Sequence, residues 1–161
     1  MTKNEKYIQF PYREYTSTAQ LNQQEEKLIE LAVEASFMAY NPYSKFNVGA
    51  ALLLDNGKII TGNNQENAAY PSGLCAERVA LFYASSQYPE AAVRILAVVA
   101  TKNRQVIDMP VPPCGSCRQV FIEWENRFKK PFAVIMAGKE KIIKVEKAEW
   151  LMPFSFQSDF L

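Results

Sequence analysis

The chain of 161 residues carries 18 Lys and Arg against 17 Asp and Glu, so its formal charge is only +1, and 48% of its residues are apolar. This length and composition suit one compact domain with a real core and argue against global disorder. The bases are not clustered on one face, as they are in polynucleotide-binding proteins, and no apolar run is long enough to cross a bilayer.

The first 21 residues are polar with scattered aromatic residues and show no clear period. Met1–Lys6 has no apolar stretch like that of a signal peptide. We therefore predict an N-terminal arm or extension over residues 1–21, which either packs on the domain or forms a partly ordered tail, and a main domain over residues 22–161. Three cysteines cannot all pair within one chain, which favours a cytoplasmic protein.

Apolar periodicity predicts the elements of the main domain. The predicted helices run from about Asn22 to near Tyr40, over Cys75–Ser86 and over Cys114–Arg127, with a helical turn at Ala148–Leu151. The predicted strands are Phe46–Leu54, Lys58–Asn63, Ile95–Ala100, Phe132–Met136 and Lys141–Val145. Asn56-Gly57 joins the first two strands, and this dipeptide is typical of hairpins because both residues tolerate positive φ. A hairpin followed by alternating strands and helices indicates an α/β domain with one mixed sheet and helices on its faces.

All three cysteines lie in two short motifs, Cys75-Ala76-Glu77-Arg78 and Pro113-Cys114-Gly115-Ser116-Cys117. The chain has no histidine, so three thiolates are the only soft ligands available to a metal. A structural zinc site normally has four protein ligands, whereas a catalytic site has three and an open position for water. Both motifs are predicted to begin helices, where free amide groups and the helix dipole favour thiolate over thiol.

Charged residues in the same motifs suit a catalytic metal site. Glu77, two residues after Cys75, supplies the acid/base partner that a water on the metal needs. Three thiolates make the site net negative, and Arg78 and Arg118 would offset that charge by donating hydrogen bonds to sulfur. The alternatives are a glutamate that only complements the helix dipole and two surface arginines.

In this order, the two motifs resemble the signature of the zinc-dependent nucleoside and base deaminases, His- or Cys-x-Glu followed by Pro-Cys-x-x-Cys. More narrowly, the chain resembles the small homotetrameric cytidine deaminases of the three-cysteine type from about residue 35 to residue 156. Further support comes from Pro42–Ala51, Asn64–Gly73 and Pro113–Gln119. The resemblance implies a three-layer α/β/α fold with a mixed, roughly five-stranded sheet. It also implies hydrolytic deamination of cytidine and deoxycytidine to uridine and deoxyuridine in pyrimidine salvage.

The resemblance assigns the chemistry to individual residues. Cys75, Cys114 and Cys117 would hold zinc. Glu77 would take a proton from the zinc-bound water, pass it to ring nitrogen N3 while the hydroxide attacks C4, and then help to protonate the departing ammonia. The amide nitrogen of Ala76 would contact the carbonyl group of the base.

The resemblance also implies substrate contacts outside the two motifs. Asn64 and Glu66 would hold the ribose hydroxyls, and Phe46 would pack against the base. Phe156 would reach the active site of a neighbouring subunit. The alternatives are that Phe46 is a plain core residue, that Asn64 and Glu66 lie in a solvated loop, and that Phe156 covers its own domain.

The implied partners are a small nucleoside and further copies of the chain in a homotetramer, with no nucleic acid polymer and no membrane. Blasticidin-S deaminase shares the scaffold and the metal motifs, so deamination of another aminopyrimidine stays open as an alternative. A second alternative is a non-enzymatic zinc module with a fourth protein ligand, such as Glu77 itself. A third is a polynucleotide-editing deaminase, against which the absence of a basic stripe argues.

Overall fold

The computed structural model describes residues 4–161, so residues 1–3 of the predicted arm lie outside the described residues. Within residues 4–161 one mixed sheet has seven strands. They are β1 (Arg13–Tyr15), β2 (Asn47–Leu54), β3 (Ile59–Asn63), β4 (Val93–Lys102), β5 (Gln105–Val106), β6 (Ala133–Ala137) and β7 (Ile142–Val145). Their order is β1-β7-β6-β4-β2-β3, with β5 paired to β4. Neighbouring strands are antiparallel except β4 and β6, which are parallel.

Three α-helices pack on this sheet in the described range: α1 (Gln23–Ser36), α2 (Ala76–Gln87) and α3 (Gly115–Phe128). Side chains of β2 alternate between its faces, so Leu52 packs with α2 and α3 while Leu53 packs with α1. The central strands are therefore buried on both faces, and the predicted three-layer α/β/α fold is confirmed. The expected number of about five strands was too low. The two strands that were not predicted, β1 and β5, have only three and two residues and show no apolar period.

Helix α1 begins where its sequence predicts but ends earlier. Asn22 and Glu25 form a capping box at its start. The Glu25 amide donates to Asn22 Oδ1 at 2.9 Å, and the Asn22 amide donates to the Glu25 carboxylate at 3.3 Å. The end near Tyr40 was wrong, since the helix stops at Ser36, whose carbonyl accepts a bond of 2.9 Å from the Asn47 side chain. Strand β2 passes so close to α1 that a Cβ on Gly49 would overlap the Ala32 carbonyl oxygen.

Part of the N-terminal segment joins the sheet. Strand β1 pairs with β7, and Arg13 forms an ion pair with Glu146 beside it. The ring of Phe10 stacks on Trp150, with centroids 6.1 Å apart. The division into an arm over residues 1–21 and a domain over residues 22–161 stays a prediction. No helix in residues 4–161 is long and apolar enough to cross a membrane.

Candidate active site

The three thiols meet where two helices begin. Cys75 is the N-cap of α2, Cys114 is the N-cap of α3, and Cys117 lies in the first turn of α3. The Cys114 sulfur is 3.6 Å from that of Cys75 and 3.5 Å from that of Cys117, and all three sulfurs lie within 4.8 Å of one another. Because both helices present their N-termini here, their dipoles favour negative charge on the sulfurs.

This group of thiols fits zinc. Sulfurs at about 2.3 Å from a tetrahedral zinc lie about 3.8 Å apart. The distances from the Cys114 sulfur to the other two sulfurs, 3.6 and 3.5 Å, are close to that value. Three sulfurs leave one tetrahedral position free. Among the residues that the structure describes, the group of candidate ligand atoms within 4.8 Å of one another consists of the three sulfurs and does not include a Glu77 oxygen. This argues against Glu77 as a fourth ligand.

The thiols differ in their ease of ionisation. The Cys117 thiol beside it, helped by the Arg78 guanidinium, lowers the pKa of Cys75 to about 5. The pKa of Cys117 is raised, because this thiol lies beside the Cys75 sulfur and is buried. Of Cys75 and Cys117, Cys75 is therefore the thiol that ionises first.

The two arginines of the motifs have different partners. Arg78 Nη2 lies 3.8 Å from Cys75 Sγ and donates to the Gly73 carbonyl at 3.2 Å. Arg118 donates to two backbone carbonyls rather than to a sulfur. Its Nε lies 2.8 Å from the Pro113 oxygen, and its Nη1 lies 2.9 Å from the Leu151 oxygen.

Glu77 is buried beside the thiols, with only 4% of its surface exposed. This burial raises the pKa of its carboxyl to about 6, although its own amide donates to it. A carboxyl with a pKa close to neutrality can both accept and release a proton under working conditions.

Cys75, Cys114 and Glu77 line a cavity of about 660 Å³. Sequence reasoning named some of its lining residues: Phe46, Asn64, Glu66, Cys75, Glu77, Arg78 and Cys114. It did not name others that line the same cavity: Tyr43, Ser44, Tyr70, Val98, Val111 and Pro112. Tyr43, Ser44 and Pro112 stand in or beside the quoted motifs, which was the available signal. Val98 belongs to a central strand and resembles any other core residue in the sequence.

Four predicted site residues are not among those lining this cavity: Ala76, Cys117, Arg118 and Phe156. Ala76 is fully buried, but it is the first residue of α2, so its amide has no intrahelical acceptor. Phe156 lies in the C-terminal tail, where it is 59% exposed and stacks on Phe160. The Gln119 side chain holds this tail by donating to the Phe156 carbonyl at 2.8 Å.

Asn64 ties the cavity wall to β2. Its Oδ1 accepts from the Val48 amide at 2.8 Å, and its Nδ2 donates to the Phe46 carbonyl at 2.9 Å. An amide side chain has two N–H groups and two acceptor positions, so one of each stays available for a ligand.

Glu66 ties the loop before β2 in a similar way. Its Oε2 accepts from the amides of Tyr43 and Ser44, at 2.9 and 3.2 Å. A hydrogen bond from the Ser44 hydroxyl is the main reason that the pKa of Glu66 is lowered. The carboxyl is therefore ionised at neutral pH, and its Oε1 is available to accept from a ligand hydroxyl.

Comparisons with known proteins agree on one family. Residues 22–132 match the family described as "Cytidine and deoxycytidylate deaminase zinc-binding region". A cytidine deaminase of Halalkalibacterium halodurans is 50% identical over 134 residues, which cover 83% of this chain and 95% of that protein. A cytidine deaminase of Sporosarcina psychrophila is 42% identical over 136 residues, which cover 84% and 93%. The crystal structure of cytidine deaminase from Burkholderia pseudomallei superposes with a TM-score of 0.69 at 38% identity, covering 84% of this chain and 100% of that one.

Proposed function

This chain belongs to the cytidine and deoxycytidylate deaminase zinc-binding family, and on that basis we propose that it hydrolyses cytidine and deoxycytidine to uridine and deoxyuridine, releasing ammonia. One observation carries the proposal. A buried carboxyl with a raised pKa, two of the three thiols that fit zinc, and two polar side chains suited to ribose all line the same cavity.

Cys75, Cys114 and Cys117 are the residues that hold zinc. Zinc bound there would acidify a water and so supply the nucleophile that attacks C4 of the base. Arg78, in contact with the Cys75 sulfur, reduces the excess negative charge of three thiolates. Arg118 was expected to do the same, but it donates to the carbonyls of Pro113 and Leu151.

Glu77 carries the protons. Its carboxylate accepts a proton from the attacking water, passes it to N3 of the base, and helps to protonate the amino group that leaves as ammonia. Its burial keeps the carboxyl away from bulk water, and its pKa of about 6 allows both proton transfers near neutral pH.

The remaining site residues orient the nucleoside. The free amide of Ala76 donates to the carbonyl group of the base, and Phe46 packs against the ring. Asn64 and Glu66 bind the ribose hydroxyls with the donor and acceptor positions that their contacts to β2 and its preceding loop leave available.

We further propose that the protein acts in pyrimidine salvage in the cytoplasm as a homotetramer. Its cysteines are all unpaired thiols, as is usual in a reducing compartment. Exposed aromatic side chains support an assembly of several copies: Tyr70 at the cavity, which is 85% exposed, and Phe154 and Phe156 in the tail. In that assembly Phe156 would contact the active site of a neighbouring subunit.

The test is the loss of the cytidine ultraviolet absorbance with purified protein, before and after removal of zinc by a chelator. We expect turnover of cytidine and deoxycytidine that chelation abolishes and added zinc restores. Blasticidin S and a cytosine-containing single-stranded oligonucleotide serve as competing substrates. Turnover of either one without turnover of cytidine or deoxycytidine would contradict the proposal.

A further inference from the structure

Arg118 holds the backbone on both sides of Cys114. Its side-chain Nε donates to the Pro113 carbonyl at 2.8 Å, which belongs to the peptide unit before Cys114. Its own amide makes the regular helical bond to the Cys114 carbonyl at 3.0 Å, which belongs to the peptide unit after Cys114. The orientations of these two peptide units determine where the Cys114 side chain points, because together they set its φ and ψ.

The other end of the Arg118 guanidinium is anchored to a rigid part of the fold. Nη1 donates to the carbonyl of Leu151, which ends a short 3-10 helix at Ala148–Leu151. Glu125 of α3 holds the start of the same 3-10 helix by accepting the amides of Ala148 and Glu149, both at 2.9 Å. Helix α3 therefore fixes this segment at two points, and Arg118 connects it to the turn that carries Cys114.

Cys114 is the ligand that most needs such support. Cys117 is buried and Cys75 is half-buried, whereas Cys114 is exposed. Packing by neighbouring side chains consequently restrains the Cys114 sulfur least, and its position depends mainly on the backbone conformation of the turn.

We propose that Arg118 is a positioning residue, which holds Cys114 at ligand distance from the other two thiols by fixing the peptide unit between Pro113 and Cys114 against the Leu151 carbonyl. The proposal rests on the zinc site of the proposed function. The sequence led us to expect that Arg118 donates to sulfur. The proposal instead assigns it a role through the backbone. Retention of the metal is the property that it should control.

The variants Arg118→Lys and Arg118→Met both remove the forked pair of donors; Arg118→Lys keeps the positive charge and Arg118→Met loses it. Arg127 offers a matched control on the same helix, since it also donates to a side chain and a carbonyl, Ser85 Oγ at 2.9 Å and Pro89 O at 2.6 Å, away from the thiols. The measurement is the rate at which a chromogenic chelator in excess takes zinc from each purified, zinc-loaded protein. Thermal unfolding of each metal-free protein reports the purely structural effect.

We expect both Arg118 variants to release zinc about 10-fold faster or more, as is typical when a residue that orients a metal ligand is lost. Arg127→Lys should release zinc at the wild-type rate, even if its metal-free melting temperature falls as much as that of the Arg118 variants. An unchanged release rate in Arg118→Lys, or equal acceleration in Arg127→Lys, would overturn the proposal. Should Arg118→Met not fold, Arg118→Lys decides alone. A wild-type protein that retains zinc but does not turn over cytidine would contradict the proposed function and leave this inference standing.

Discussion

The guanidinium of Arg78 lies 3.8 Å from the sulfur of Cys75 and is fixed there by its bond to the Gly73 carbonyl. This places one full positive charge against a group of three thiols. A cation at this distance favours the thiolate and reduces the negative charge that would otherwise weaken acidification of water by zinc.

We therefore expect Arg78→Gln to lower kcat with cytidine about 10-fold or more at neutral pH and to shift the acid limb of its pH profile upwards. Arg78→Lys keeps the charge and should restore part of the loss. The measurement is kcat as a function of pH with zinc-saturated protein. Equal profiles for Arg78→Gln and the wild type would show that this charge is irrelevant to catalysis.

Glu77→Gln tests the proton carrier. The variant keeps the shape of the side chain but cannot accept a proton, so we expect kcat to fall by about 10²-fold or more while zinc content stays at one per chain. Metal analysis of the purified variant accompanies the assay. Loss of zinc from Glu77→Gln would instead identify Glu77 as a ligand, as in the non-enzymatic zinc module.

The same variant predicts a pH dependence of stability in the metal-free protein. The pKa of Glu77 is raised from 4.5 to about 6 in the folded state, so the folded carboxyl binds its proton more tightly than the unfolded one. Its favourable contribution is complete below pH 4.5 and is lost as the pH rises through 6. Metal-free Glu77→Gln should consequently unfold at a higher temperature than the wild type at pH 8, with the difference smallest below pH 4.5. A constant difference across this range would contradict the assignment.

Glu66 should affect binding through the ribose. We expect Glu66→Gln to raise KM for cytidine about 10-fold and to change KM for 2′,3′-dideoxycytidine much less, because the latter lacks the hydroxyls that Glu66 accepts. The two KM values are measured in parallel. Equal increases for both substrates would mean that Glu66 acts only by holding the amides of Tyr43 and Ser44.

Glu125 is a buried residue on which the fold around the site depends. Its carboxylate accepts three amides, those of Phe132, Ala148 and Glu149, while burial raises its pKa. Glu125→Ala leaves these donors without a partner, and we expect a loss of at least about 3 kcal/mol in the free energy of unfolding. Chemical denaturation of metal-free protein measures it, and Glu123→Ala, at an exposed position of the same helix, should change it by less than about 0.5 kcal/mol.

The sequence was most informative where the relevant residues are close in the chain. Cys114 and Cys117, three residues apart, share the first turn of α3, and Glu77 follows Cys75 within the first turn of α2. Helical geometry places such neighbours together whatever the rest of the fold does. The candidate ligands and the candidate proton carrier could therefore be named from local spacing, and the alternation of strands and helices likewise indicated one mixed sheet with helices on its faces.

Contacts between distant parts of the chain could not be read from local spacing. Because Arg118 is adjacent to Cys117 in the sequence, we expected it to donate to a sulfur. In the fold, the carbonyl of Leu151, 33 positions away in the chain, accepts a hydrogen bond from its guanidinium. Glu66 likewise holds Tyr43 from 23 positions away, and β1 is a strand only because β7 offers it a free edge.

The sequence by itself determined the chemistry, namely three thiolates, no histidine and a carboxyl within one helical turn of a ligand, because these depend on residue type and short spacing. Only the tertiary structure decided how that chemistry is held in place. Burial raises the pKa of Glu77, and the chain segment after β7 lies where Arg118 can bind it. Both effects arise from packing between elements that are remote in the chain, which no local pattern records.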